Sequence, residues 1–417
     1  MLPNLHSTNN VIPQLDIIRK DVNNKNFFCV TFSASRLLSL FDKSKFRNFF
    51  RFSLSEQNND YPKLIIAIYE YVGEHQSLLL EFFNNLQHIY PDKKICLIID
   101  DVYEGLINKS DLDFIKQNLS IEEYAIVTSN HKLNDKKIFH LNYHLHDKYF
   151  DNIKTDDVYF EPNQKLRNKK FICLNRQERS HRLLTVDYLI EKDLVKHSHV
   201  SCQFQDFLYL TKGSHIWEKF GISGEDSIEK FYENRRYSSL QELKDTLFTD
   251  EQIERLLDNL PLFLQGETGE SITPRDMPSA VEHFQDSYWA LITERDFFKS
   301  DEYIGFTEKT VKCLLLGMPF IIIGLPYTLQ LLQDLGFITF NKYIDESYDL
   351  IEDDAERFEA IKKQIDFLSS KNYNELHLMY HNMMPILQHN YERAREINCS
   401  MPNSRLLSLI QQWAKHS

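Results

Sequence analysis

Phe171-Ile172-Cys173-Leu174-Asn175-Arg176-Gln177-Glu178-Arg179-Ser180-His181-Arg182 is the stretch on which the reading of this chain turns. Four apolar residues form an unbroken run, as in a strand buried on both faces. A polar turn crowded with guanidinium groups follows. Beyond it Leu183, Leu184, Leu189 and Ile190 recur at helical spacing over 181–192. A buried strand running straight into a helix is half of a parallel βαβ unit.

The same alternation extends in both directions. Upstream, strands are predicted at Phe27–Phe32, Lys63–Ile68, Lys94–Ile99, Tyr124–Thr128 and Lys137–Leu141. Helices fall between them over 73–90, where Leu78, Leu79, Phe82, Phe83 and Leu86 share a face, and over 110–119. A polar stretch, 151–170, reads as a linker. Downstream come a strand at Ser287–Thr293, a helix at Thr307–Leu316, a strand at Phe320–Ile323 and a helix at Pro326–Leu335 that stops at Gly336. Charged helices follow over 353–368, 375–397 and 404–415, while 204–285 is too irregular to divide into elements. The expectation is an α/β protein of two Rossmann-like domains facing a cleft. Residues 1–160 form the first domain, 161–370 the second, and 371–417 C-terminal helices that pack back on them. Ligand groups are then expected just after strands.

Composition narrows the classes. With 42% hydrophobic and 26% charged residues the chain is an ordinary globular protein. Only 11 glycines occur in 417 residues, with no G-x-x-x-x-G-K-[ST] and no G-x-G, so a phosphate site must be built without a glycine loop. The formal charge of −13 disfavours non-specific nucleic-acid binding. Six cysteines form no C-x-x-C, and three lie inside apolar runs, which suits reduced thiols and a cytoplasmic location. No apolar stretch reaches the ~18–20 residues that span a bilayer. The sixteen histidines show no zinc spacing, and no metal site is expected.

Two segments after core strands suit an anion. The first is Asn175 to Arg182, in which Arg176, Arg179 and Arg182 surround a helix start. The second is Phe306-Thr307-Glu308-Lys309. Thr307 caps the helix, Lys309 stands in its first turn, where a cation is disfavoured unless an anion is bound, and Glu308 suits sugar hydroxyls. Asp100-Asp101-Val102-Tyr103-Glu104-Gly105, after the most apolar strand of the first half, offers carboxylates for base work, Glu104 first and Asp101 second. Asp111-Leu112-Asp113 spells D-x-D, but it opens a helix, and capping is the better reading.

These segments carry a resemblance. The strand Tyr288–Thr293 with Glu294, then Phe306-Thr307-Glu308-Lys309, then Gly317-Met318-Pro319-Phe320 and Gly324, resembles the donor-binding region of α-1,3-fucosyltransferase-type glycosyltransferases. Leu174-Asn175-Arg176, Arg179-Ser180-His181-Arg182, Thr307-Glu308-Lys309-Thr310 and Ile344-Asp345-Glu346-Ser347-Tyr348 are similar to glycosyltransferase-like proteins of phages and bacteria. The resemblance implies the two-Rossmann architecture. It also implies a nucleotide-sugar co-substrate with no other cofactor and an acceptor glycan or other hydroxyl compound. Glu308 is expected on the donor ribose, and Lys309 with an upstream arginine on the pyrophosphate. Asn175, Arg176, Arg179, Arg182, Glu294 and Thr307 complete the donor-binding set. Transfer is expected to be inverting and metal-independent, with Glu104 or Asp101 as base. The alternatives are a phage-type enzyme that glycosylates modified DNA bases and a non-catalytic nucleotide-binding scaffold of the same fold.

Overall fold

A computed structural model describes residues 27–33, 63–69, 76–89, 91–92, 94–101, 107–119, 121–140, 145, 165–175, 179–202, 248–260, 262, 264, 277–298, 303–399, 408–409 and 412–413. By its contacts the chain divides into two compact units. One comprises Met1–Asp156 with Ser300–Gly305 and Arg395–Ser417, the other Asp157–Lys299 with Phe306–Ala394.

The first unit is built on a parallel sheet of β1 (Phe27–Ser33), β2 (Lys63–Tyr69), β3 (Lys94–Asp101), β4 (Glu123–Thr128) and β5 (Ile138–His140). Helix α1 (Gln76–Ile89) precedes β3 and α2 (Lys109–Asn118) follows it. Every residue from Ile95 to Ile99 is at most 2% exposed, so β3 is covered on both faces. Leu79, Phe82, Phe83 and Leu86 of α1 are buried in the same core as Leu112 and Ile115 of α2. The strands follow sequence order, 1-2-3-4-5. A Rossmann-like sheet reverses direction part-way across; among the described strands this one does not. Asp111 serves as a cap. Asn108 and Asp111 form a reciprocal capping box at the start of α2, and Gln76 Nε2 donates to Asp111 Oδ1 at 2.7 Å.

The second unit holds a parallel sheet of β6 (Lys169–Asn175), β7 (Ser198–Cys202), β8 (Ser287–Thr293) and β9 (Phe320–Ile323), in the order β7-β6-β8-β9. Helix α3 (Ser180–Glu191) joins β6 to β7. Helices α4 (Asp250–Asn259) and α5 (Met277–Gln285) precede β8, and α6 (Glu308–Leu315) leads to β9. Then come α7 (Thr328–Asp334), α8 (Asp354–Ser369) and α9 (Tyr373–Cys399). All seven residues of β8 are buried, Trp289 among them. From β6 the chain steps to one side for β7 and to the other for β8, which makes the β6–β8 gap a topological switch point. Ligands of open parallel sheets bind outside the carboxyl ends of the strands at such a point.

The segment 371–417 is expected as C-terminal helices that pack back on the domains. Up to Ala394 it belongs to the second unit. Tyr380 Oη of α9 donates to Gly317 O at 3.1 Å, and Asn390 bonds both the N–H and the C=O of Ile338 at 2.8 Å. The expected helix over 404–415 is described only at 408–409 and 412–413, where Trp413 Nε1 donates to Glu122 Oε2 of the first unit at 3.0 Å.

Gly336 ends α7 in the left-handed region, at φ 88°. A Cβ there would lie 2.9 Å from Arg393 Nε, which donates to Leu335 O. The left-handed conformation costs a non-glycine residue roughly 1–2 kcal/mol, and displacement of Arg393 adds to it. Gly336→Ala is therefore expected to lower the free energy of unfolding by at least that much, read as a fall in the denaturant midpoint at unchanged slope. An unchanged midpoint would show that the turn relaxes.

Candidate functional site

Glu294 leaves the carboxyl end of β8 at the switch point and is 3% exposed. Its N–H donates to Ile323 O of β9 at 3.0 Å. Its carbonyl accepts from His181 Nε2 at 2.9 Å and from Arg182 Nη2 at 3.2 Å. A carbonyl only accepts, so Nε2 of His181 carries the proton. The carboxylate faces the start of α6. Oε1 accepts from the N–H of Thr307 at 3.1 Å and from Thr310 Oγ1 at 2.6 Å, and Oε2 accepts from Thr307 Oγ1 at 2.5 Å. One residue thus ties β9, the start of α3 and the start of α6 to the end of β8. Gly324, just after β9, makes room for it, since a Cβ there would stand 3.3 Å from Glu294 Cβ.

Thr307 caps α6 with an extended backbone, at φ −111° and ψ −174°. Lys309, in the first turn, folds back so that Nζ donates to Thr307 Oγ1 and Glu308 Oε1, both at 3.2 Å. The Lys309 side chain is 16% exposed and that of Glu308 36%. Desolvation holds the Lys309 ammonium below its usual range, and Arg182 pushes it the same way against Glu308 and Glu294. Arg179 is the N-cap residue of α3; its Nη1 donates to Arg295 O and lies 3.3 Å from Asp296 Oδ1. Arg182 is 4% exposed. Burial drives the His181 imidazole well below its ordinary pKa, and Arg182, Arg179 and Lys309 add to the shift. His181 is therefore neutral, with three cations acting on it.

The loop after β8 is held from behind. Phe297 stacks on His181 with centroids 5.8 Å apart and planes 18° apart. Arg357 of α8, 1% exposed, lies 4.4 Å from the centroid of the Phe297 ring and donates to Phe297 O at 2.5 Å. His181, Thr310, Phe297 and Arg357 were not among the site residues expected from sequence. His181 and Thr310 lie inside the motifs already singled out. Nothing in the sequence pattern ties Arg357 to Phe297, because they meet only through packing.

The arginine segment and Thr307-Glu308-Lys309 do share one sheet edge, joined through Glu294. Three expected roles change. Asn175, 2% exposed, faces inward: its Oδ1 accepts from Thr293 Oγ1 at 2.6 Å, which ties β6 to β8. Glu294 directs its carboxylate at the protein's own donors, so it positions the site rather than facing a ligand. Asp101, 3% exposed in the first unit, accepts on Oδ2 from the N–H of Ile107 at 2.7 Å and from Thr128 Oγ1 at 3.0 Å. It closes the loop after β3 and is no exposed base. Arg176 and Glu104 lie outside the described residues.

Among the described residues no three histidine, cysteine, aspartate or glutamate side chains gather as for a metal ion, and no helix is long and apolar enough to cross a membrane. The arrangement offers two guanidinium groups, an ammonium and the first turn of a helix around one edge. That set suits a polyanion such as a diphosphate, with the Glu308 carboxylate beside it for hydroxyl donors.

No family model matches the chain, and no curated protein does. Among solved structures it is similar to the N-terminal domain of Candida albicans trehalose-6-phosphate phosphatase, with 10% identity, 91% of this chain and 75% of that one covered, and a TM-score of 0.39. It is likewise similar to an E. coli trehalose-6-phosphate protein bound with UDP-2-fluoro glucose, with 11% identity, 92% and 78% covered, and a TM-score of 0.39. A likeness this distant carries no functional weight.

Proposed function

We propose that this protein is a glycosyltransferase that takes its sugar from a nucleotide-activated donor. The observation that supports this reading is that Arg182 and the start of α6, with Lys309 in its first turn, are tied to Glu294 at a switch point, while Arg179 holds the adjoining Arg295 and Asp296. In this reading the donor diphosphate takes Lys309 and the two arginines as partners, and Glu308 accepts from ribose hydroxyls. As the sugar is transferred, negative charge grows on the departing diphosphate. Cations held in a poorly solvated setting stabilise that charge more than water would, because they are already oriented. The acceptor hydroxyl must lose its proton as it attacks. With Asp101 committed to its own loop, Glu104 is the residue proposed for that step. Inversion at the sugar follows from a single direct displacement. The charge of −13 favours a glycan or small hydroxyl acceptor over DNA.

A calorimetric panel of nucleoside diphosphates and nucleotide-sugars tests the reading directly. At least one is expected to bind, and no binding by any of them would refute the donor site. For the ligand that binds, Lys309→Ala should weaken affinity by about 1.5–3 kcal/mol, roughly ten- to a hundred-fold, with little change in stability. An unchanged Kd would remove Lys309 from the site.

The pH dependence of the same titration follows from the depressed Lys309 pKa. An anion is held by the protonated form, so affinity should fall as pH rises through the value of the free protein, below that of an ordinary lysine. Lys309→Ala should lack that fall. A wild-type affinity flat across the alkaline range would contradict the assignment.

Glu294→Gln should act differently from Lys309→Ala. It keeps one acceptor oxygen but turns an amide N–H₂ toward the Thr307 and Thr310 donors. Loss of these buried bonds is expected to cost about 1–3 kcal/mol of stability and to weaken ligand binding together with it. Unchanged thermal unfolding would show that the carboxylate is not the tie described above.

A further inference from the structure

Away from this site, α9 carries a second constellation. His377 and His381 stand one helical turn apart, so their side chains leave the same face. Their Nε2 atoms are 3.1 Å from one another, with the rings edge to face at 79° and centroids 4.4 Å apart. Both residues are half-buried. Nδ1 of His377 lies 3.2 Å from Tyr288 Oη, which already accepts from the N–H of Arg167 at 3.0 Å. The Tyr380 ring flanks His381 with centroids 6.1 Å apart.

We infer that His377 and His381 form a bidentate site for a divalent transition-metal ion of the zinc and nickel class, with both Nε2 atoms as ligands and water completing the coordination shell. The geometry supports this in three ways. Two imidazole nitrogens each ~2.0–2.1 Å from one ion lie roughly 2.9 Å apart at a right angle and roughly 3.3 Å apart at the tetrahedral angle; 3.1 Å falls between these. A proton on His377 Nδ1 directed at Tyr288 Oη leaves the Nε2 lone pair toward the ion, and a metal-bound histidine commonly has such an outer partner. Neither residue is fully buried, so water can reach the pair to supply the ligands that two protein groups leave open.

No zinc spacing stands out among the histidines in sequence; α9 makes this pair a chelate only because it is helical there. With two protein ligands the site is exchangeable, unlike a closed four-ligand zinc centre. Without an ion the same pair would be a plain bond in which one Nε2–H donates to the other nitrogen.

The test uses full-length protein with any affinity tag removed, titrated calorimetrically with Zn²⁺ and, separately, with Ni²⁺. Saturable binding is expected. His377→Asn and His381→Asn should each weaken it about ten-fold or more, since loss of even an outer-shell partner costs roughly 10–100-fold. His199→Asn, in the separate group of His199, His283 and Asp286, should leave it unchanged. Cu²⁺ electron paramagnetic resonance on the wild-type protein, which requires no variant to fold, should show coupling to two imidazole nitrogens. Equal affinity in both variants, loss of binding in His199→Asn instead, coupling to fewer than two nitrogens, or no uptake of any of these ions would overturn the inference.

Discussion

A buried carboxylate is tolerated only when donors surround it, and the second unit is organised around one. Glu294 sits where β8 ends and gathers the N–H of Thr307 and the hydroxyls of Thr307 and Thr310 on its side chain, while its carbonyl takes His181 and Arg182. Because the carboxylate takes its donors from the start of α6 and the carbonyl takes its donors from the start of α3, neither helix can shift without leaving one of these buried acceptors short of a partner. The tie also explains the absence of a side chain at Gly324, which stands against Glu294 on the neighbouring strand end. Thr307 is held twice, as the cap of its own helix and as a donor to Glu294. The direction of the first turn of α6 therefore depends on a residue thirteen positions earlier.

Around this tie the charges are arranged at some cost. Arg182 and Lys309 are poorly solvated and each opposes the other's charge. Main-chain carbonyls of Glu294 and Arg295, with the carboxylates of Asp296 and Glu308, offset the cost in the structure described. Asp296 and Glu308 are over a third exposed on their side chains or close to it, so they are the members best able to yield to an incoming anion. Neutral His181, stacked on Phe297, supplies a rigid partner without adding a further positive charge. Arg357 extends the support to α8, so the loop after β8 is fixed on both sides. A site assembled this way needs no glycine loop. Helix starts and guanidinium groups replace it, which suits a chain with 11 glycines.

Much of this was legible in the sequence because its signals are local. The strands Ser287–Thr293 and Phe320–Ile323 stand out as continuous apolar runs, and they are buried along their whole length. The spacing of Leu79, Phe82, Phe83 and Leu86 gives one helix face, and Gly336 ends a helix because its φ is positive. Asp111 reads as part of a cap, and with Asn108 it forms one. Thr307-Glu308-Lys309 and the arginine segment read as strand-end groups, and both lie at the same edge.

Tertiary structure decided what no local period encodes. Strand β7 alternates buried and half-buried residues over only five positions, too short for a pattern, and it exists because β6 supplies its ladder. Strand order depends on which strands pair across long separations, so the reversal in one sheet and its absence in the other were invisible in the sequence. Side-chain direction at a strand's end is likewise set by distant donors. Asp101, Asn175 and Glu294 all read as groups for a ligand, and all three turn inward because Thr128, Thr293 and Thr307 meet them there. Composition and periodicity determined which residues form strands and helices, since burial along an element repeats with its geometry. Which polar groups remain for chemistry was decided only by packing, because a buried carboxylate or amide takes whatever partner the fold brings within reach.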